Sequence, residues 1–179
     1  MKRALAVAFV GVFILVQVAV AQAPPPMPKP GPEHKRLGYF LGRWNGEGDA
    51  KPSPFGPGGK VSFSEHNEWL PGGFFLVTHS EETGPMGTGK GLAVMGYNAE
   101  EKVYTYNAFN SMGMAVAAKG TVQGDSWTWT SESKMGGKVM KTRFLIKELA
   151  LTSYSFKFET SADGRTWSTV VEGKSTKVK

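Results

Sequence analysis

The chain has 179 residues, a formal net charge of +6 and no cysteine. That length suits one domain with a sizeable core, and the missing cysteine removes disulfide frameworks, thiol chemistry and lipidation at a cleavage-site cysteine. The basic residues are spread along the chain rather than gathered in a stripe with interleaved stacking rings, which argues against a nucleic-acid partner.

The first element in chain order is a targeting signal. Met1-Lys2-Arg3 is positive, Ala4 to Val16 is apolar, and Ala19-Val20-Ala21 supplies the small-x-small pattern of a signal peptidase site. These features predict a signal peptide over residues 1–21, export to the periplasm or beyond the cell, and no stable membrane anchor after cleavage. The apolar stretch is short for a span of about 20 residues. Cleavage after Ala21 is preferred, because cleavage after Ala23 would put Pro24 in the first mature position. Residues 22–31 then read as a proline-rich disordered leader, and residues 32–179 as a single domain.

From Pro32 the pattern changes. Proline suits the first turn of a helix, and Leu37, Phe40 and Leu41 place apolar groups on one side of a short one that Gly42 stops. A strand around Trp44 follows, and the tract from Pro52 to Gly59 must be a loop, since its prolines and glycines suit neither ladder nor helix. Beyond it the apolar period is two. Val61–Leu70, Phe74–Glu82, Gly91–Tyr97, Val103–Asn110 and Met114–Val122 read as strands, as do Ser126–Glu132, Lys138–Glu148, Tyr154–Thr160 and Ser168–Ser175. Turn residues sit between most of them, such as Pro71-Gly72-Gly73, Gly124-Asp125, Gly136-Gly137 and Asp163-Gly164. Such short links favour antiparallel neighbours. The expected fold is therefore all-β, an antiparallel up-and-down barrel of about ten strands with a short N-terminal helix, because closure removes the unpaired edges of a long meander.

Alternation assigns the faces. Trp127 and Trp129, Met140 to Ile146 at every second residue, and Tyr154, Phe156 and Phe158 point inward, with Lys141, Arg143, Lys157 and Glu159 among the residues between them. Phe74 to Val77 is apolar on both faces, so the short helix, or a second copy in a homodimer, should cover its outside.

Pro32-Glu33-His34-Lys35-x-Leu37, Gly42-x-Trp44, Glu68-Trp69-Leu70-Pro71-Gly72-Gly73-Phe74 and Tyr97-Asn98 resemble the bacterial exported proteins of the domain of unknown function 1579 family. The Gly-x-Trp after a short helix, ahead of a strand meander, is also similar to the calycin group that includes lipocalins and fatty-acid-binding proteins. The resemblance covers nearly all of the chain after the signal. It implies a lipocalin-like barrel, in which Trp44 packs across the closed end as a structural plug, and it carries no established activity.

Several features invite a functional reading. His66-x-Glu68 and His79-x-Glu81 lie on strands joined by the Pro71-Gly72-Gly73 turn. If the connecting loop holds two or four residues, His66, Glu68, His79 and Glu81 share a face and could hold a divalent metal; a three-residue loop separates them. Gly84 to Gly91 has the spacing of a phosphate-binding loop, but Gly91 stands where the hydroxyl residue belongs and a strand follows, so a flexible hairpin loop is the better reading. Small barrels related to nitrobindin bind haem through a late histidine, whereas this chain has none after His79. The broadest candidate is the aromatic interior itself. Tyr104, Tyr106, Trp127, Trp129, Tyr154, Phe156 and Phe158 would line a ligand cup, with Asn107, Asn110 and Arg143 as polar handles.

Catalysis finds little support: there is no cysteine nucleophile and no Gly-x-Ser-x-Gly, and the three histidines suggest no triad. The expected function is binding of a small apolar or amphipathic ligand without a cofactor. The competing readings are a structural or protein-interaction barrel with a packed core and, behind it, a metal-binding protein. A cavity below about 100 Å3 would decide for the packed core, since ligand pockets start at about 300 Å3.

Overall fold

A computed structural model describes residues 27–53, 56–135 and 137–179. The signal segment predicted over residues 1–21 and the first half of the leader lie outside the described residues. Pro32, whose missing N–H needs no partner in a first helical turn, opens helix α1, Pro32–Arg36. A tighter 3-10 turn, Leu37–Phe40, continues it and buries Leu37 and Phe40. Gly42, at φ +94, then swings the chain into the sheet.

Ten strands follow: β1 Gly42–Ala50, β2 Gly59–Trp69, β3 Leu76–Gly84, β4 Gly87–Asn98, β5 Val103–Asn110, β6 Ala115–Gln123, β7 Ser126–Met135, β8 Lys138–Ala150, β9 Ser153–Ser161 and β10 Ser168–Lys177. Each pairs antiparallel with its chain neighbours, and β1 also pairs with β10, from Trp44 opposite Lys177 to Ala50 opposite Val171. The sheet is a closed barrel, as the alternation predicts. Among the described residues no helix is long and apolar enough to cross a membrane.

Two boundaries differ from the sequence reading. The strand expected from Phe74 starts at Leu76, because Gly72 and Gly73 both take positive φ and carry the turn on to Phe75. Phe74 instead meets the His34 ring of α1 edge-on at 5.0 Å, so the helix does cover part of this apolar stretch, while Phe75 stays 43% exposed. The hairpin loop expected over Gly84–Gly91 is a hairpin, but a tighter and more regular one. Gly84 pairs with Gly87 across a turn of Pro85 and Met86, and β4 runs on from there. Glycines scattered through this segment mask a register that the backbone hydrogen bonds hold.

The inner face carries more aromatic volume than a small barrel accommodates unless some inward positions are glycine. A Cβ on Gly46 would lie 2.1 Å from the Phe63 ring, and one on Gly120 would lie 2.5 Å from Trp129. Both glycines leave the space that a partner ring occupies. At the end of the barrel under α1 the rings close over one another. Trp44 is fully buried, its Nε1 donates to the Phe40 carbonyl at 2.8 Å, and its ring lies 5.1 Å from Tyr154. Arg36 fixes the cover, pairing with Glu148 while its guanidinium stands 5.0 Å from the Trp127 ring, whose Nε1 also donates to Glu148 at 2.7 Å. The Tyr39 hydroxyl donates to carbonyls at the β8–β9 turn, and burial, helped by Glu148, pushes its pKa up to about 12.

Candidate functional site

The barrel encloses a cavity of about 550 Å3. Its floor is the ring cluster around Trp44 and Phe40. Its mouth lies at the other end, among the loop after β1 and the β3–β4 and β5–β6 turns, where Met86 is 65% and Met112 is 56% exposed. The walls are apolar over much of their height, with Phe63, Met95, Trp129, Phe144, Phe156 and Phe158 facing in.

One part of the wall is polar, and it comes from β2 and β3. On β2 the inward positions are Val61, Phe63, Glu65, Asn67 and Trp69; on β3 they are Leu76, Thr78, Ser80 and Glu82. Glu65 stands opposite Trp44 on one side and Ser80 on the other, and Glu82 stands opposite Phe63, one step nearer the mouth. Burial raises the Glu65 carboxyl to about 7; the nearby Asn67 amide and Tyr154 hydroxyl pull it down and the Glu82 charge pushes it up. Burial raises Glu82 as well. Tyr106 and Tyr154 complete the group from β5 and β9, both with pKa raised first by burial and then by the Glu65 charge. Thr78 donates to Oδ1 of Asn67 at 2.5 Å. The Asn67 amide nitrogen lies near enough to Glu65 to favour its ionised form, yet it makes no hydrogen bond of normal geometry, although the residue is only 2% exposed.

The residues singled out in the sequence fall into three groups. Tyr106, Trp129, Tyr154, Phe156 and Phe158 line the cavity. Tyr104 and Trp127 also face inward, but their rings pack against each other at 4.9 Å in the floor cluster, below the open volume. Arg143 is a correction: it lies on the outer face, where it pairs with Glu159 at 2.5 Å and stacks 4.2 Å over Trp167, so it is no handle for the interior. Asn107 lines an outer groove beside Trp167, and the Asn110 side chain is spent on the β5–β6 turn, accepting from Met112 and Met114.

The two His-x-Glu steps share the outer face. The β2–β3 connection runs from Leu70 to Phe75, an even number of residues, and it sets His66 directly opposite His79. Glu68 and Glu81, however, sit beside Val77 and Ser64 at opposite ends of that stretch. Among the described residues no three acidic or histidine side chains gather as a metal site. His34 accepts from the Gly31 N–H and packs on Phe74 and Tyr97 under α1. No imidazole therefore faces the cavity. Glu65, Asn67, Thr78 and Glu82 are not among the residues that the sequence singles out. The signal was present, since they occupy the inward positions of β2 and β3, but they are polar where the alternation elsewhere is apolar.

Fold and site together define a closed, ten-stranded β-barrel protein with a cavity that is open at one end and acidic on one wall. The chain belongs to a family of proteins of unknown function, DUF1579, whose profile matches residues 29–177. Among solved structures it is similar to Rv2717c from M. tuberculosis, with 13% identity, a TM-score of 0.58 and coverage of 83% of this chain and 99% of that one. At that identity the likeness shows the fold alone. A fainter likeness, with a TM-score of 0.45 and 9% identity over 81% of this chain and 98% of the other, is to EF1p2_mFAP2b bound to DFHBI. No curated protein matches the chain by sequence.

Proposed function

We propose that this protein is exported and binds one small amphipathic molecule inside the barrel without transforming it. The observation that carries the reading is the cavity. At about 550 Å3 it falls within the range of small-molecule sites, about 300–1,000 Å3, and well above the size at which a packed core would account for the interior. Its lining supports an amphipathic occupant, because an aromatic wall faces a compact polar group at the level of Glu65 and Glu82. Export rests on the charged, apolar and small-residue order of residues 1–21.

Native mass spectrometry of protein recovered from the periplasm of an expressing cell tests both parts. The expected spectrum shows a mature chain beginning at Gln22 and carrying one extra mass that leaves on gentle activation. A chain that retains Met1 in the cytoplasmic fraction would remove the export reading. A uniformly bare mass, together with no uptake of any apolar fluorophore, would remove the binding reading.

A further inference from the structure

The acidic wall says what kind of head group the cavity takes. Glu65 and Glu82 are diagonal neighbours on the inner face of β2 and β3, a placement that puts the two residues roughly 7–8 Å apart and their Cβ atoms somewhat closer. Among the described residues neither carboxylate forms an ion pair. Lys51, the one basic residue at the cavity lining, is tied to Glu172. The groups facing the two carboxylates are Trp44, Ser80, Phe63 and Gly89 from the adjoining strands, with Tyr106 and Tyr154 from across the barrel, and none is basic. When both are ionised, two like charges share this buried wall without a counter-ion. Beside them the buried Asn67 amide still has a hydrogen to donate.

We propose, building on the cavity reading above, that the ligand's head is a protonated amine carrying a neighbouring hydroxyl. Its ammonium group sits between Glu65 and Glu82, and its oxygen accepts from the Asn67 Nδ2. A cation there relieves the mutual repulsion of the carboxylates and forms charge-assisted hydrogen bonds with them. The Tyr106 and Tyr154 rings offer it further favourable contact. The apolar tail runs along Phe63, Phe144, Phe156 and Phe158 toward the mouth. An anionic head would add a third negative charge to the same wall, so the cavity rejects fatty carboxylates of equal length. The discrimination is electrostatic at one end and indifferent to tail chemistry at the other.

The test measures tryptophan fluorescence, since Trp129 lines the cavity, during titration with 2-aminodecan-1-ol, decan-1-ol and decanoate at pH 8. At that pH the Glu65 carboxyl, which titrates near 7, is ionised and the amine still holds its proton. The expected order is amino alcohol, then alcohol, then carboxylate, with at least about tenfold between the first two, the scale of a charge-assisted contact. That preference shrinks toward pH 5, where the Glu65 carboxyl is protonated. Glu65→Gln and Glu82→Gln each reduce the ratio of the two dissociation constants, with folding checked by circular dichroism, while Glu47→Gln on the outer face leaves it unchanged. Equal affinities for amino alcohol and alcohol, or tighter binding of decanoate, would overturn the amine head and leave the cavity reading standing. Failure of all three probes to bind would overturn both.

Discussion

At the scale of single residues, Glu65 couples the interior of this protein to pH. Its carboxyl is held at about 7 in the folded barrel against an ordinary value of 4.5, with burial as the leading cause. Between those two values the folded state keeps a proton that the unfolded chain has lost, so stability falls as pH rises through the window and levels off above it. The full shift corresponds to at most about 3 kcal/mol. Asp163 works with the opposite sign, since backbone N–H groups of Arg165 and Thr166 hold its carboxyl at about 2 against an ordinary value of 3.8, but its contribution is lost only as pH falls through that lower window. Urea midpoints of the ligand-free protein are therefore expected to be higher at pH 5 than at pH 8, and Glu65→Gln should remove much of the difference while raising the pH 8 value. If the substituted protein keeps the full pH dependence, Glu65 ionises as freely as it does in water. Glu82 shares the sign and accounts for the part that remains.

At the scale of elements, the strands depend on where side chains are missing as much as on where they are large. Gly120 on β6 lies under the face of Trp129 on β7, and a methyl group there would meet the ring at 2.5 Å. Gly120→Ala is expected to lower stability by about 1–3 kcal/mol and to shift tryptophan emission as the ring is pushed toward the cavity. An unchanged spectrum and melting temperature would show that the wall gives way without the ring moving. The same elements explain what the sequence discloses. Strands such as β7 and β9 are legible because Trp127 and Trp129, or Tyr154, Phe156 and Phe158, recur at every second position between polar neighbours. The register of the β3–β4 hairpin is not, because Gly84, Gly87, Gly89 and Gly91 carry no side chain to report a face. Glu65 and Asn67 hide for a related reason. Their inward orientation follows from Phe63 two residues earlier, but polar residues in mid-strand read as a solvent face until the register with β3 is known. Arg143 shows the converse, since a basic residue beside an aromatic strand looks like a handle until Glu159 and Trp167 are seen to hold it outside.

At the scale of the whole molecule, the last strand closes what the first begins. β10 pairs with β1 over Trp44 to Ala50 and with β9 over Ser153 to Thr160, so no strand of the barrel has an unpaired edge. Removing residues 168–179 would leave β1 and β9 with open ladders, and such edges recruit other chains. The truncated protein is expected to elute as large assemblies in size-exclusion chromatography and to lose its cooperative unfolding transition. A monomeric product with a sharp transition would mean that β1 and β9 re-pair directly in a smaller barrel. The covered floor has a consequence of another kind. With Trp44, Phe40 and Leu37 sealing one end, a guest enters, among the described residues, from the mouth, and one whose head rests beside Glu65 arrives head first and leaves tail first. On the proposed amine reading, the charged group sheds its water among Met86 and Met112 before it reaches either carboxylate. How long a guest stays is governed by that passage through the methionine rim, so two molecules held equally tightly can differ widely in how fast they come and go.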